Sequence, residues 1–455
     1  MKIIFYFFLI LLLSISTTAQ TINLEFPYFA GQTYDFTIFQ GEKRITLTQD
    51  TIPKGGKVQL IIPDEYKGYK GIAQWYLTNS ATGGGLDLII NNEDFSVACF
   101  DPVPTAESIV YKNTTENVID KANYKKQQQL FEKHDAMLAT TRAYNSKSKI
   151  HKLAAQEYTS IIKQYKTYSS DLSQSAMYAA KFRQIVNLTL GIGTIITLDE
   201  KEKAKNISSF ITSDLDFEVL YTSNHWVGII NSWVQVHALV IKDDSEMISN
   251  ARTIFSRIKS DKIYTDFVVT LTKELSKAGK YNVLSELEVN IKEANRLVNY
   301  DGVLRRYQKD IASQNKKAPD LILTNPDDEG PLPNMYIVKS EDFATEIYTK
   351  TLLIFYETGC GHCETLMAQL PQYYETLEQK GIRIISISSD IDKDVFEKAA
   401  AIYPWVDKYC DFEGFEGINF KNYGIYGTPT IYLISKDGIV TKEMATFEDI
   451  VYHTK

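Results

Sequence analysis

Cys360-Gly361-His362-Cys363 places two thiols two residues apart, directly after the apolar run Leu352-Leu353-Ile354-Phe355-Tyr356 and ahead of a helical pattern. Sulfurs at that spacing, between a buried strand and the start of a helix, form the pattern of a redox-active dithiol. The attacking species in thiol–disulfide exchange is a thiolate, and an ordinary cysteine with a pKa of about 8.5 is mostly protonated at neutral pH. A cysteine in the first turn of a helix meets unpaired backbone N–H groups and the positive end of the helix dipole, and both favour the anion. Cys360 is therefore the expected acidic thiol. His362, between the sulfurs, can add positive charge or a donor, whereas Glu357 and Glu364 oppose the anion if they lie close.

Cys-x-x-Cys also serves as a structural disulfide or as half of a zinc site. The chain has four cysteines and no second close pair to complete four ligands, so no metal is expected. No cofactor motif is present either. Cys99, inside Phe95-Ser96-Val97-Ala98-Cys99-Phe100, is expected to be a small buried hydrophobe, and Cys410 a structural thiol.

The elements that must hold the dithiol alternate in type. Strands are expected over 352–356, 382–388, 430–434 and 439–442, with helices over 360–379 and 392–402, and Lys436-Asp437-Gly438 supplies a hairpin turn between the last two strands. That is a compact α/β unit. It begins after Asn315-Lys316-Lys317-Ala318-Pro319-Asp320 and the loop 325–331, which put a domain boundary near Lys317.

Upstream the period changes twice. From Thr21 to about Asp101 apolar residues alternate, as in Ile22/Leu24/Phe26 and Val58/Leu60/Ile62, between turn signals such as Pro53-Lys54-Gly55-Gly56, which predicts a small antiparallel sandwich or barrel. Gly83-Gly84-Gly85 lacks the lysine and following helix of a phosphate loop and is expected in a hairpin. After Pro102 and Pro104 the spacing becomes three and four, as in Leu130/Phe131/His134/Met137/Leu138 and Ile263/Phe267/Leu271/Leu275, which predicts helices. His134, Trp226 and Trp233 are expected to pack in the core. The chain is thus expected to be multidomain: a leader at 1–20, an all-β domain at 21–110, an all-α domain at 111–317 and an α/β domain at 318–455. Its 455 residues agree with a prior of about 100 to 200 residues per domain.

Lys2, the unbroken apolar run from Ile3 to Leu13 and the small residues Ser14 to Ala19 have the order of a secretory leader, cleaved after Ala19 or Gln20. The run is too short to span a bilayer, and Trp226 to Ile241 is interrupted by Asn231, Ser232, Gln235 and His237. A periplasmic or secreted protein without a membrane anchor is expected. The formal charge of -8 becomes -9 once Lys2 leaves with the leader, and without a basic block nucleic acid is excluded as a partner.

Three pieces of the last domain carry a family resemblance: Ala318-Pro319-Asp320 at its start, Phe355-Tyr356-Glu357-Thr358-Gly359-Cys360-Gly361-His362-Cys363, and Gly427-Thr428-Pro429-Thr430 before the hairpin. In this order they resemble the thioredoxin fold, and specifically the exported TlpA/ResA-like bacterial thiol-disulfide oxidoreductases. The resemblance covers residues 318–455. It implies that Cys360 is the exposed nucleophile, that Cys363 resolves the mixed disulfide, that Thr428 contacts the substrate chain and that Pro429 follows a cis peptide bond. Its substrates would be protein thiols or disulfides, with a membrane electron-transfer partner. Departures are Glu364, where many members have lysine or arginine, Ile354, where thioredoxins keep a buried aspartate, and Ala368, with Pro371 a turn later, where a helix-kinking proline is usual. Gly361-His362 is the pair of protein disulfide isomerase, whose potential of about -180 mV is less reducing than the roughly -270 mV of thioredoxin, whereas the TlpA/ResA likeness implies a reductant. A peroxiredoxin-type peroxidase shares the fold, but its Pro-x-x-x-Thr-x-x-Cys context is absent before Cys360. A partner-binding envelope protein with an accessory redox domain is the alternative from another class.

Overall fold

The computed structural model describes residues 20–80, 83–307, 312, 314–324 and 335–455. The expected leader, apart from Gln20, and the expected loop 325–331 lie outside the described residues. The chain forms two compact units, one comprising residues up to Ile196 with Leu215–Trp226 and the other Thr197–Asp214 with Val227–Lys455.

The first unit opens with β1 (Thr21–Glu25), β2 (Thr33–Gln40), β3 (Lys43–Thr51), β4 (Lys57–Ile61), β5 (Lys70–Leu77), β6 (Gly85–Asn91), β7 (Phe95–Ala98) and β8 (Val110–Lys112). They form two four-stranded sheets, ordered β4-β1-β7-β8 and β3-β2-β5-β6. Ile22 and Leu24 of one sheet and Phe36, Ile38 and Trp75 of the other share one buried core, with Cys99 inside it. One pair departs from the antiparallel expectation: β1 and β7 run parallel, with β5 and β6 of the second sheet between β4 and β7 along the chain. Gly83 and Gly84 belong to the β5–β6 connection, where the Leu77 N–H donates to the Gly84 carbonyl.

The helices are α1 (Thr115–Ala143), α2 (Lys149–Gln174), α3 (Tyr178–Thr189), α4 (Glu200–Ser213), α5 (Phe217–Tyr221), α6 (Trp226–Gln235), α7 (Asp244–Arg257), α8 (Asp261–Lys277) and α9 (Tyr281–Ala294). They are divided between the units: α1, α2, α3 and α5 lie in the first, and α4, α7, α8 and α9 in the second. Side-chain N-caps mark many starts, among them Thr114, Ser148, Asp199, Asp243 and Ser260, each worth about 1 kcal/mol. The predicted stripe Ile263, Phe267, Leu271 and Leu275 is buried along α8. His134 lies against Tyr158 with ring centroids 5.1 Å apart.

In the second unit the site rests on β11 (Lys350–Tyr356), reached after the hairpin β9 (Leu321–Thr324) and β10 (Met335–Val338). The sheet is completed by β12 (Ile382–Ser388), β13 (Asp407–Cys410), β14 (Thr430–Ser435) and β15 (Val440–Met444), in the order β13-β12-β11-β14-β15. The first three are parallel and the last two antiparallel. Helices α10 (Gly361–Gln379) and α13 (Phe447–His453) belong to one face, α12 (Ile418–Asn422) to the other, and α11 (Lys393–Ala400) follows β12. From Thr351 to Tyr356 every residue of β11 is buried: Leu352, Ile354 and Tyr356 pack in the core that holds α10, and Leu353 and Phe355 in the core that holds Phe420 and Tyr423. A central strand covered on both faces has to be apolar throughout, which explains the unbroken run in the sequence.

Helix α6 continues into a π-helical turn, Val236–Ile241. His237 sits there fully buried, with its Nε2 2.8 Å from Ser208 Oγ and its ring 4.8 Å from that of Trp233. Burial holds its pKa down from 6.5 to about 4, opposed by Asp243 and Asp244 and reinforced by Lys280. Between those values the unfolded chain binds a proton that the folded chain does not, so stability is greatest above pH 6.5 and falls as pH drops toward 4. The urea midpoint should decline over that window, and His237→Gln should flatten the decline; an identical slope in the variant would place the proton on another group.

Candidate active site

Strand β11 delivers the chain to the dithiol through one turn. Gly359 there has φ +82°, a left-handed conformation that glycine adopts without a Cβ penalty. Cys360 then takes extended angles as the N-cap of α10, and the Glu364 N–H donates to its carbonyl at 2.8 Å, closing the first helical turn. The helix therefore starts one residue later than the spacing predicts, and the first cysteine stands at its mouth rather than inside it.

The two thiols occupy different environments. Cys360 is partly exposed, whereas Cys363 is 1% exposed and packs with Ile354, Tyr356 and Leu366. Burial acts to raise the Cys360 pKa, but donors overcome it: the Cys363 backbone N–H, the Cys363 thiol, the Thr428 hydroxyl and the His362 N–H leave it below the ordinary value. Cys363 goes the other way. Burial, reinforced by the adjacent Cys360, pushes it up to about 12, against lowering contributions from the Thr428 hydroxyl and the Glu357 backbone.

The loop before β14 closes the site. The Thr428–Pro429 peptide bond is cis, as the resemblance implies, and the Cys360 thiol faces the Thr428 carbonyl at 3.6 Å. The fold thus brings Cys360, Cys363, Thr428 and Pro429 together from two separate stretches of sequence. Gly361, His362 and Glu364 are exposed on the first turn of α10, and Glu357 is half-buried, its carbonyl accepting the Cys360 N–H at 3.4 Å. Among the described residues no group of three or more metal-ligating side chains is present.

A family profile described as thioredoxin-like matches residues 348–440. The thiol-disulfide oxidoreductase ResA of Bacillus thuringiensis subsp. konkukian is 30% identical over 129 residues, which cover 28% of this chain and 68% of that protein. The chain belongs to the ResA-like thiol-disulfide oxidoreductases. ResA of Bacillus cereus matches with the same identity and coverage. Among solved structures, the thioredoxin domain of a thiol-disulfide oxidoreductase from Bacteroides vulgatus is 20% identical, with 31% of this chain and 94% of that chain covered and a TM-score of 0.26. A thiol-disulfide oxidoreductase from Bacteroides fragilis is 22% identical, with 30% and 96% covered and a TM-score of 0.23.

As a ResA-like protein the chain is an oxidoreductase of thiols and disulfides, and its departures from the family can be located. Ile354 is fully buried in the apolar core that also holds Cys363. The buried carboxylate of this region is instead Asp390, after β12, which accepts from the Thr358 N–H at 3.1 Å, the Thr358 hydroxyl at 2.7 Å and the Ser388 hydroxyl at 2.7 Å. Tyr403 is held above its ordinary pKa by burial first and then by Asp390 and Cys363. Neither residue stands out in the sequence by spacing. The usable signal was Ser388-Ser389-Asp390 at the carboxyl end of a parallel strand, where such sheets place their functional groups. Pro371 lies within α10. Cys410 ends β13, its thiol donating to the Asp390 carbonyl at 3.1 Å, and burial pushes its pKa up to about 12.

As pH rises, Cys360 loses its proton before either of these two buried thiols. Iodoacetamide at mildly acidic pH should therefore label Cys360 first, with a rate that rises through its depressed pKa, while Cys363 and Cys410 stay unmodified. Peptide mapping that found Cys363 labelled first would reverse the assignment.

Proposed function

We propose that this chain is an exported thiol-disulfide oxidoreductase that exchanges disulfides with protein substrates through Cys360 and Cys363. The observation that carries the reading is the asymmetry of the pair: a partly exposed, acidic Cys360 at a helix mouth beside a buried Cys363 whose pKa is pushed up to about 12. The Cys360 thiolate attacks one sulfur of a substrate disulfide, and the departing substrate thiolate takes up a proton. Cys363 then loses its proton and attacks Cys360 Sγ, releasing the second substrate thiol. The substrate has gained two electrons and two protons, and the protein holds a Cys360–Cys363 disulfide. Run backwards, the same steps oxidise a dithiol, and the potential of the pair against its partner sets the direction. Thr428 and Pro429 face the incoming substrate chain, and His362, Gly361, Glu357 and Glu364 tune the pair.

Residues 318–455 act as the redox domain, with the leader at 1–20 directing export to the periplasm or outside the cell. No described helix is long and apolar enough to cross a membrane; in this reading a membrane electron-transfer partner exchanges electrons with the dithiol. The accessory segments, 21–110 and 111–317, have a role of their own in this reading. A cavity of about 870 Å³ lined by Phe26, Trp75, Leu77, Tyr124, Phe182 and Arg183 lies within the first unit and favours binding of a partner there.

Cys363→Ser should arrest mixed disulfides on Cys360, which non-reducing electrophoresis of envelope extracts would display as adducts that collapse on reduction. Cys360→Ser should yield none and should lose insulin-disulfide reduction. Peroxide turnover without insulin reduction in the unmodified protein would instead favour a thiol peroxidase.

A further inference from the structure

The loop that faces the dithiol is anchored from outside the thioredoxin-like domain. Tyr426 precedes Thr428 by two residues and is itself half-buried, but its hydroxyl turns inward. It lies 2.9 Å from Ser276 Oγ near the end of α8 and accepts from Arg306 Nη1 at 3.1 Å. Arg306 is 6% exposed and sits in a short 3-10 helix, Gly302–Tyr307. Its Nη2 reaches Glu443 of β15 at 3.3 Å and Glu288 of α9 at 3.5 Å. Lys292 in turn holds Glu288 at 2.6 Å, so the buried Glu288 and the half-buried Glu443 face two cations. The same helix is pinned at its C-terminal end, by Tyr307 Oη against Thr272 Oγ1 at 2.5 Å and by the Arg305 guanidinium donating to the Phe415 carbonyl at 2.9 Å.

A buried guanidinium satisfied by carboxylates from two elements has few positions open to it, since any shift leaves a charge unpaired in a low-dielectric site. Only Gly427 separates the tyrosine it holds from Thr428. We propose that Tyr426 is a positioning residue through which α8, α9 and the Gly302–Tyr307 helix set the substrate-facing backbone of Thr428. The helical segment then acts on the redox step by fixing where an extended substrate chain can lie beside Cys360. A protein substrate needs that backbone edge, whereas a small non-peptide disulfide can reach Cys360 without it.

This rests on the function proposed above, and the two fail differently. Insulin and hydroxyethyl disulfide serve as substrates, with dithiothreitol as electron source and the full chain as enzyme. Tyr426→Phe keeps the ring and removes the hydroxyl. It should lower kcat/KM for insulin about tenfold, on the order of two lost hydrogen bonds, while leaving hydroxyethyl disulfide reduction within about twofold of the unmodified protein. Ser276→Ala, which leaves Arg306 its partner, should move the same ratio in the same direction by less, and it keeps the test open if Tyr426→Phe does not fold. Equal losses on both substrates, or no loss on either, would overturn the positioning role. Activity retained by Cys360→Ser would overturn the dithiol assignment instead.

Discussion

The backbone N–H groups at the start of α10 have no carbonyl beneath them, and the sulfur of Cys360 is placed where they point. A helix of 19 residues leaves such donors unpaired at its first turn whatever its sequence, so an anion there is favoured without any charged side chain. Much of the surrounding fold keeps that sulfur in place. Buried on both faces, β11 fixes the direction from which the chain arrives; Gly359 turns it; and the Thr428 loop, carried by the neighbouring β14, closes the other side.

The same geometry separates the two cysteines by chemistry rather than by identity. One turn into the helix, Cys363 points into the apolar core, where charge is costly and the thiol persists. A pair with one thiolate and one thiol suits an exchange that proceeds in two steps, because the second sulfur stays protonated until the first has formed its mixed disulfide. Ile354 in that core removes a carboxylate from immediately beneath the dithiol and leaves Asp390, tied to Thr358 and Ser388, as the buried acid of the region.

Much of the redox domain was legible because its signals are local and strong. The run Leu352 to Tyr356 could only be a doubly covered strand, and the cysteine spacing named a chemistry without reference to anything distant. Thr428 and Pro429 were legible only through resemblance, since nothing in a single sequence brings residue 428 to residue 360. Strand β13 was missed because Asp407-Lys408-Tyr409-Cys410 at the sheet's edge has neither alternation nor an apolar run. The pairing of β9 with β10 was missed because each strand has only four residues, too short to show an alternation. Tyr426 and Arg306 carry no local signal at all: a tyrosine in a loop and an arginine in a short helix acquire meaning only when a fold sets them 3.1 Å apart. The division of the helices between two units was equally hidden, because a period of three and four marks a buried face without saying what buries it.

The segment just ahead of Ala318 reads as a linker, yet it closes the open side of the sheet. Lys317 bridges to Ile439, the Asn315 N–H donates to the Val440 carbonyl, and the Val440 N–H donates to the Lys316 carbonyl. β15 is an edge strand, and unpaired edge groups invite other chains to pair with them. A fragment cut at Ala318, the natural place to isolate the redox domain, would lose those bonds and present an uncapped strand to its neighbours. Such a fragment would tend to associate through that edge, and a cut ahead of Asn315 would preserve the cap.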